Sequence, residues 1–256
     1  MKKFTILIPV YNDWESLKKL LLEINTNVEN LENVEFECII INDSSTEETP
    51  KISVPINIKA IKLINMKENK GHARCNAFGI RYLAKNDKNY DHVILMDGDG
   101  EDRPEEIKFL VEKAIQDEKI SVVAKRVKRS EGPIFQLLYK IHKLITLIFT
   151  GKNINFGNYS CITKNDIKIL STKESLWSSF SGSVKKHISK LNTINSLRGL
   201  RYFGPSQMSI YKLCIHSFSI IAVFKYEVFF RSVVLLIVMS LFNKDINFFI
   251  SFYSFY

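Results

Sequence analysis

The chain has 256 residues, a net charge of +9 at pH 7 and 46% hydrophobic residues. This length accommodates one sizeable domain with a smaller addition. The four cysteines are scattered without metal-type spacing, which argues against a cysteine metal site and is typical of reduced thiols in a reducing compartment.

The positive charge is concentrated in the second half of the chain. From Leu176 to Tyr226 there is no Asp or Glu, whereas seven lysines and arginines occur there. Such a stretch indicates an anionic partner, namely phospholipid, a phosphorylated substrate or nucleic acid; the alternative is a solvated basic face. Because aliphatic segments interleave the basic residues, we expect no nucleic-acid partner.

Strand signals recur up to about Lys125, with helical patterns between several of them. The predicted strands are Phe4–Val10, Val34–Ile41, Ile58–Ile64, His92–Met96 and Ser121–Ala124. The predicted helices are Trp14–Ile24, His72–Ala84 and Pro104–Gln116. This alternation predicts an α/β fold with a mostly parallel, Rossmann-like sheet. The apolar run of the first strand is too short for a secretory signal.

Polar residues follow three of the predicted strands at the point where each strand ends. They are Tyr11-Asn12-Asp13, Asn42-Asp43-Ser44-Ser45 and Asp97-Gly98-Asp99. In a parallel sheet all three should line one edge, where open α/β sheets bind ligands. Two carboxylates with a glycine between them suit a hard divalent cation that holds a diphosphate. The alternative is an acidic turn before the helix that Pro104 opens.

After Arg129 the chain becomes rich in long apolar segments. The segments Pro133–Phe149 and Ser206–Phe224 have the pattern of amphipathic helices, which pack either in a core or on a bilayer surface. Val228–Phe242 carries Arg231 as its only charge but is shorter than the ~17 residues that a spanning helix needs. Aromatic residues then dominate up to Tyr256. We expect membrane association with transmembrane helices at this end of the chain. The alternative is a C-terminal helix that is buried in the domain.

Four short patterns occur in order in the first half of the chain. They are Ile6-Leu-Ile-Pro-Val-Tyr-Asn12, Ile41-Asn-Asp-Ser-Ser-Thr46, Asn69-Lys-Gly-His-Ala-Arg-Cys-Asn76 and Met96-Asp-Gly-Asp-Gly-Glu-Asp-Arg-Pro104. Together they resemble family-2 glycosyltransferases with the GT-A nucleotide-diphospho-sugar transferase fold. The likeness is greatest to the polyprenyl-phosphate group, which includes dolichyl-phosphate mannose synthases. It covers residues 3–130 well and is looser from Gly157 to Phe224.

The resemblance implies a site for a nucleotide-sugar donor. It implies that Asp97 and Asp99 hold Mg²⁺ or Mn²⁺ and act as the catalytic carboxylates, with Asp97 also near the ribose. The other implied donor-binding residues are Pro9, Tyr11, Asp43, Gly71, Arg74 and Arg126. Simpler roles compete with these: a plain turn at Tyr11, a local cap at Asp43, and a turn followed by a surface residue at Gly71 and Arg74.

The acceptor is inferred from a missing carboxylate. A hydroxyl acceptor needs a positioned base, whereas a phosphate is already ionised near neutral pH. The second half offers no acid between Leu176 and Tyr226. The candidates for holding an acceptor phosphate are Arg198, Arg201, Ser206 and Lys212. Gln207 departs from the lysine usual in the polyprenyl-phosphate group, and a base at Glu101 or Asp102 would restore a hydroxyl acceptor.

The sequence therefore predicts a membrane-attached, metal-dependent and inverting glycosyltransferase that acts on a polyprenyl phosphate. The expected organisation is a catalytic domain at 1–204, with a nucleotide-sugar half at 1–130 and an acceptor half at 131–204 that includes an amphipathic helix at 133–149. An interfacial helix at 205–226 and a membrane segment at 227–256 follow. The positive-inside rule places the domain on the cytoplasmic face of the cell membrane. A saccharide acceptor, a non-catalytic membrane-bound interaction module and a homo-oligomer stay open as alternatives.

Overall fold

A computed structural model describes residues 1–86, 89–128, 133–204 and 210–253. The strands are β1 Lys2–Val10, β2 Val34–Asn42, β3 Ala60–Asn65, β4 His92–Leu95, β5 Ser121–Lys128, β6 Phe156–Thr163 and β7 Leu191–Leu197. The helices are α1 Trp14–Val28, α2 His72–Asn86, α3 Ile107–Gln116, α4 Pro133–Thr150, α5 Lys164–Ser171, α6 Phe180–His187, α7 Ile210–Val223 and α8 Lys225–Tyr253. Short 3-10 turns lie at Pro104–Glu106 and Glu174–Trp177.

The seven strands form one sheet in the order β3-β2-β1-β4-β6-β5-β7. β1 pairs in parallel with β2 and with β4, so that Ile6 lies between Cys38 and Ile94. β6 runs antiparallel to both of its neighbours, and β5 and β7 are parallel. The carboxyl ends of β1, β2 and β4 therefore meet at one edge of the sheet.

Helices cover both faces of the sheet, which explains why its central strands are almost wholly apolar. On one face α1 and α3 bury residues such as Leu17, Leu20 and Leu110 against the sheet. On the other face α2 and α6 contribute Ile80 and Val184 to a second core cluster. The mostly parallel α/β sheet predicted from the sequence is confirmed.

The five predicted strands and the three predicted helices of the first half are all present, within a few residues at their ends. β6 and β7 were not predicted. Polar residues such as Asn158 and Ser160 in β6, and Asn192 and Asn195 in β7, interrupt the apolar runs that mark the other strands. β6 nevertheless lies between β4 and β5, where the neighbouring strands satisfy its backbone.

The apolar segments that follow residue 129 form the helices α4, α7 and α8, which have large exposed apolar side chains. Leu144 of α4 is 57% exposed, Phe218 of α7 is 70% exposed, and Phe229 of α8 is 72% exposed. Within the described part of the chain, no helix combines the length and apolarity needed to cross a membrane. The predicted membrane segment 227–256 thus corresponds to α8 as far as residue 253.

Arg231, the only charge within Val228–Phe242, has a structural partner. Its Nη1 donates to the carbonyl oxygen of Ile148 at 3.3 Å, in the last turn of α4. The guanidinium also lies against Gly151, where a Cβ would approach Nη2 to 2.3 Å. Gly151 has a φ of +68° and ends α4 in the left-handed conformation typical of helix C-termini. Arg231 therefore links α8 to the carbonyl end of α4.

Protonation of His92 is expected to destabilise the fold in mild acid. His92 is 2% exposed and stacks on Phe4 with ring centroids 5.2 Å apart. Burial lowers the pKa of His92, and the Asp91 carboxylate offsets this only in part. As the pH falls below ~6.5, the unfolded chain takes up a proton that the folded chain resists, so the free energy of unfolding decreases.

Urea unfolding of the wild type and of His92→Phe between pH 7.5 and pH 5 measures this contribution. The wild type should lose more stability than the variant over that range, because phenylalanine keeps the stacked ring without the titrating group. Two curves that run parallel in pH would contradict the burial argument.

Candidate active site

The three predicted polar turns lie together at one edge of the sheet. The N–H of Asp43, just after β2, donates to the carbonyl oxygen of Val10 at the end of β1, at 2.9 Å. Gly98, just after β4, lies so close to β1 that a Cβ would be 3.1 Å from the Pro9 carbonyl oxygen. Glycine at position 98 thus lets the acidic turn 97–101 approach the first strand.

Asp97 lies at the centre of a polar cluster. Its Oδ1 is 2.9 Å from Nε2 of His72 and accepts from Nδ2 of Asn158 at 3.3 Å. Burial raises the pKa of Asp97, but the charges of His72 and Arg126 outweigh this and hold the pKa below its usual range. Partial desolvation opposes the charge on the His72 side chain, which is 49% exposed, yet Asp97 raises the net pKa of the imidazole. Asp97 is therefore a stable carboxylate.

Asp102 is a buried carboxylate that binds the backbone of the acidic turn. It is 3% exposed, accepts from the Asp97 N–H at 3.0 Å, and lies 3.4 Å from Nη2 of Arg126. Burial and, next, the Asp97 charge raise the pKa of Asp102 to about 7, although Arg126 opposes the shift. Asp102 does not cap the 3-10 turn Pro104–Glu106, since Arg103 occupies the cap position and no side chain caps that turn.

Asp99 faces the second half of the chain. Its Oδ1 accepts from the N–H of Glu101 at 3.1 Å, and its Oδ2 accepts from Nη1 of Arg201 at 3.0 Å. Burial and repulsion from Asp97 raise the pKa of Asp99, while the Glu101 N–H and Arg201 counteract them. The charges of Asp97 and Asp99 thus repel each other, and a shared cation would relieve this repulsion.

The donor set fits a sparsely ligated magnesium or manganese ion. Among the described residues, His72 and Asn158 contact Oδ1 of Asp97, and no donor reaches its Oδ2. No group of three His, Cys, Asp or Glu side chains that could hold a metal occurs in the described ranges. A site of this kind needs one or two carboxylates, with phosphate oxygens and water supplying the rest.

Asp43 closes the loop that leads into α2. It is 3% exposed, and its two carboxylate oxygens accept from the N–H groups of Lys70 and Gly71 at 2.8 and 2.9 Å. Gly71 has a φ of +84° and immediately precedes α2. The local turn after β2 is made by Asn42 instead, whose Oδ1 accepts from the Ser45 N–H at 2.9 Å.

Replacing Asp43 with asparagine should lower the free energy of unfolding by about 2 kcal/mol. One of the two backbone N–H groups would then face an amide NH₂, and hydrogen bonds to a charged acceptor are worth ~1.5–3 kcal/mol each. Urea unfolding measures the loss, and Asp117→Asn, on the opposite edge of the sheet, is the matched control. Equal stability of the Asp43→Asn variant and the wild type would show that the carboxylate does not hold the loop.

The remaining predicted residues differ in their exposure and in their contacts. Tyr11 is 47% exposed beside Pro9, and the side chain of Arg74 is exposed in the first turn of α2. Arg198 pairs with Glu101, and Arg201 contacts both Asp99 and Asp13. The predicted acceptor residue Ser206 and the side chain of Lys212 lie outside the described residues.

The structure adds residues that sequence patterns did not single out. His72 and Asn158 both contact Asp97. Asn12, with a φ of +48°, joins the first two turns: its N–H donates to Oγ of Ser45 and its Oδ1 accepts from the Thr46 N–H, both at 2.9 Å. Asn12 belongs to a polar strand end named from the sequence, and Asn158 lies in the looser resemblance from Gly157 onward, but the sequence assigned neither residue a contact or a role.

Solved structures with similar folds place the fold of this chain within the GT-A class of α/β folds. Glucosyl-3-phosphoglycerate synthase from Mycobacterium tuberculosis, in complex with Mn²⁺, uridine diphosphate and phosphoglyceric acid, has a TM-score of 0.62 at 14% identity. The match covers 89% of this chain and 78% of that chain. The same enzyme with Mg²⁺ and uridine diphosphate has a TM-score of 0.58, and the match covers 88% of this chain and 79% of that chain, again at 14% identity.

Sequence comparison gives the family. The family described as Glycosyl transferase family 2 matches residues 5–173, and the chain belongs to this family. The undecaprenyl-phosphate 4-deoxy-4-formamido-L-arabinose transferase of Salmonella choleraesuis (strain SC-B67) is 31% identical over 168 residues. That region is 64% of this chain and 48% of the relative, so the chain spans about half the length of the curated relatives it matches. The predicted family is confirmed.

Proposed function

We propose that the chain is a membrane-attached glycosyltransferase that transfers a sugar from a nucleotide-diphosphate sugar to a polyprenyl phosphate. The observation that carries the proposal is the acidic turn after β4, where Asp97 and Asp99 lie among Arg126, Arg198 and Arg201. Carboxylates suit a cation bound to the donor diphosphate, and arginines suit phosphate. The family and the name of the Salmonella relative support this donor and acceptor.

In the proposed complex the donor lies along the carboxyl ends of β1, β2 and β4. Pro9, Tyr11 and the loop held by Asp43 receive the nucleotide base and ribose, and Gly71 with Arg74 lies toward the phosphates. Asp97 and Asp99 hold Mg²⁺ or Mn²⁺, which when bound neutralises negative charge on the departing diphosphate. The ions and uridine diphosphate named in the M. tuberculosis structures support this choice of cofactor.

The occupied carboxylates favour a phosphate acceptor over a hydroxyl. Glu101 is paired with Arg198, and Asp102 is 3% exposed and accepts from the Asp97 N–H, so neither presents its carboxylate to a hydroxyl. A phosphate oxygen is already ionised. It attacks the anomeric carbon, and the bond to the nucleoside diphosphate breaks with its electron pair leaving on the diphosphate, which inverts the configuration. Arg198, Arg201, Ser206 and Lys212 are the proposed acceptor-phosphate residues.

The exposed helices supply the proposed contact with lipid. Large apolar side chains such as Leu144, Phe218, Phe229 and Leu236 are exposed on α4, α7 and α8. We place α4, the interfacial segment 205–226 and the membrane segment 227–256 against the cytoplasmic face of the cell membrane, below a catalytic domain at 1–204. A polyprenyl phosphate in the inner leaflet would then present its head group to the site.

The test is transfer from radiolabelled nucleotide sugars to undecaprenyl phosphate in detergent micelles, with Mn²⁺ or Mg²⁺ present. A thermal-shift panel of nucleoside diphosphates with and without Mn²⁺ first selects the base. Label that partitions into organic solvent only when undecaprenyl phosphate is present supports the proposal. Label that stays on a water-soluble saccharide would replace the lipid acceptor by a hydroxyl. The absence of transfer with every donor that binds would favour a non-catalytic interaction module.

A further inference from the structure

Residues 198–204, which we name the strap, follow β7 and cross the acidic turn 97–101. The N–H of Gly199 donates to the carbonyl oxygen of Glu101, and the N–H of Tyr202 donates to the carbonyl oxygen of Asp99, both at 2.9 Å. A Cβ on Gly199 would lie 2.6 Å from the Gly100 carbonyl oxygen. The strap and the acidic turn are therefore in direct backbone contact.

Two arginines of the strap neutralise carboxylates around this turn. Arg198 pairs with Glu101. Arg201 donates from Nη1 to Asp99 at 3.0 Å and from Nη2 to Asp13, and its Nε donates to the Phe203 carbonyl oxygen at 2.8 Å. Its side chain is only 16% exposed, so solvent screens these pairs weakly. Asp13 does not cap α1 with its side chain, which leaves its carboxylate to the arginine.

The strap has a second attachment that does not involve the acidic turn. The hydroxyl of Tyr202 donates to the carboxylate of Glu23 on α1. The Nζ of Lys19, one turn earlier on the same helix, lies 4.5 Å from the centroid of the Tyr202 ring. These contacts of Tyr202 with α1 therefore oppose the release of the strap from the acidic turn.

A divalent cation and Arg201 make competing demands on Asp99. A magnesium or manganese ion lies ~2.1 Å from a ligating carboxylate oxygen. The Arg201 guanidinium already lies 3.0 Å from Oδ2 of Asp99. Two cations within a few ångströms in a poorly screened site repel strongly. We propose that Arg201 and the divalent cation compete for Asp99, so that entry of the metal releases the strap; this inference rests on the metal site of the proposed function.

The first test is the affinity for Mn²⁺ alone, measured by electron paramagnetic resonance of the free ion without nucleotide. Arg201→Met should bind Mn²⁺ about tenfold more tightly than the wild type, a coupling of the usual size between two linked ligands. Arg103→Met, which removes an arginine that flanks the same turn and pairs with Glu105, is the control for net charge. Equal or weaker Mn²⁺ binding by Arg201→Met, relative to this control, overturns the competition.

The second test leaves every charge in place. Tyr202→Phe removes the hydrogen bond to Glu23 and should also tighten Mn²⁺ binding, by less than Arg201→Met. In the wild type, Mn²⁺ alone should accelerate hydrogen exchange in a peptide covering 198–204, because the N–H groups of Gly199 and Tyr202 lose their acceptors. Unchanged or slower exchange in that peptide overturns the release of the strap.

Asp99→Asn separates this inference from the proposal on which it rests. If the wild type binds Mn²⁺ and Asp99→Asn does not, the metal site stands, and the Arg201→Met and exchange results decide the competition alone. If Asp99→Asn binds Mn²⁺ as tightly as the wild type, both the metal site and the competition are overturned.

Discussion

Asp99→Asn is expected to lower sugar transfer by about 10²- to 10³-fold while the protein stays folded. The substitution keeps the size of the side chain and removes the charge that would share a cation with Asp97. Loss of one charged or donor group that stabilises the departing charge typically costs ~10²–10³ in turnover. The measurement is the initial rate of transfer at saturating Mn²⁺, with circular dichroism as the check on folding.

Asp117→Asn provides the comparison for this variant. Asp117 follows α3 near the amino end of β5, on the opposite edge of the sheet from the acidic turn. It should transfer sugar at close to the wild-type rate. A transfer rate for Asp99→Asn within about threefold of the wild-type rate would contradict the proposed metal-dependent reaction. Loss of a metal ligand that stabilises the leaving group should cost far more than threefold.

Double replacement of Phe229 and Phe230 by serine should weaken binding to anionic phospholipid vesicles by about 10²-fold. The two rings are 72% and 69% exposed near the start of α8. Transfer of a phenylalanine side chain out of water is worth ~1.5–3 kcal/mol, and partial insertion of two rings gives about 3 kcal/mol. Sedimentation with vesicles of phosphatidylglycerol and phosphatidylcholine measures the partition coefficient.

Phe109→Ser is the matched control, because Phe109 is a 46% exposed phenylalanine on α3, which packs on the opposite face of the sheet from α7. Its vesicle binding should equal that of the wild type. If the double variant on α8 also binds as well as the wild type, the exposed apolar side chains of α8 are not the lipid contact, and the membrane arrangement proposed here fails.

The local chemistry of the strand ends made the edge of the sheet predictable. Runs such as Phe4–Val10 and His92–Met96 are apolar until the strand stops, and the change to Asn, Asp and Gly marks the turn that follows. In a parallel sheet, such turns share an edge whatever the strand order. The positions of Asp43, Asp97 and Asp99 followed from this pattern alone.

The partners of these residues were not predictable, because they come from distant parts of the chain. Asn158 lies 61 residues after Asp97, and Arg201 lies 102 residues after Asp99. Asn158 lies on β6 and Arg201 follows β7. Polar residues interrupt the apolar pattern of these two strands, so the sequence did not predict them. The order of the sheet, which places β6 beside β4, is a tertiary choice that no local pattern encodes.

Arg231 has a practical consequence for anyone who shortens the chain to improve its solubility. A truncation before Lys225 would remove the donor to the Ile148 carbonyl along with the apolar surface of α8. The last turn of α4 would then lose a stabilising cation at its negative end. A shortened chain that keeps α8 up to Arg231, with its exposed phenylalanines replaced, would preserve the hydrogen bond between α8 and α4.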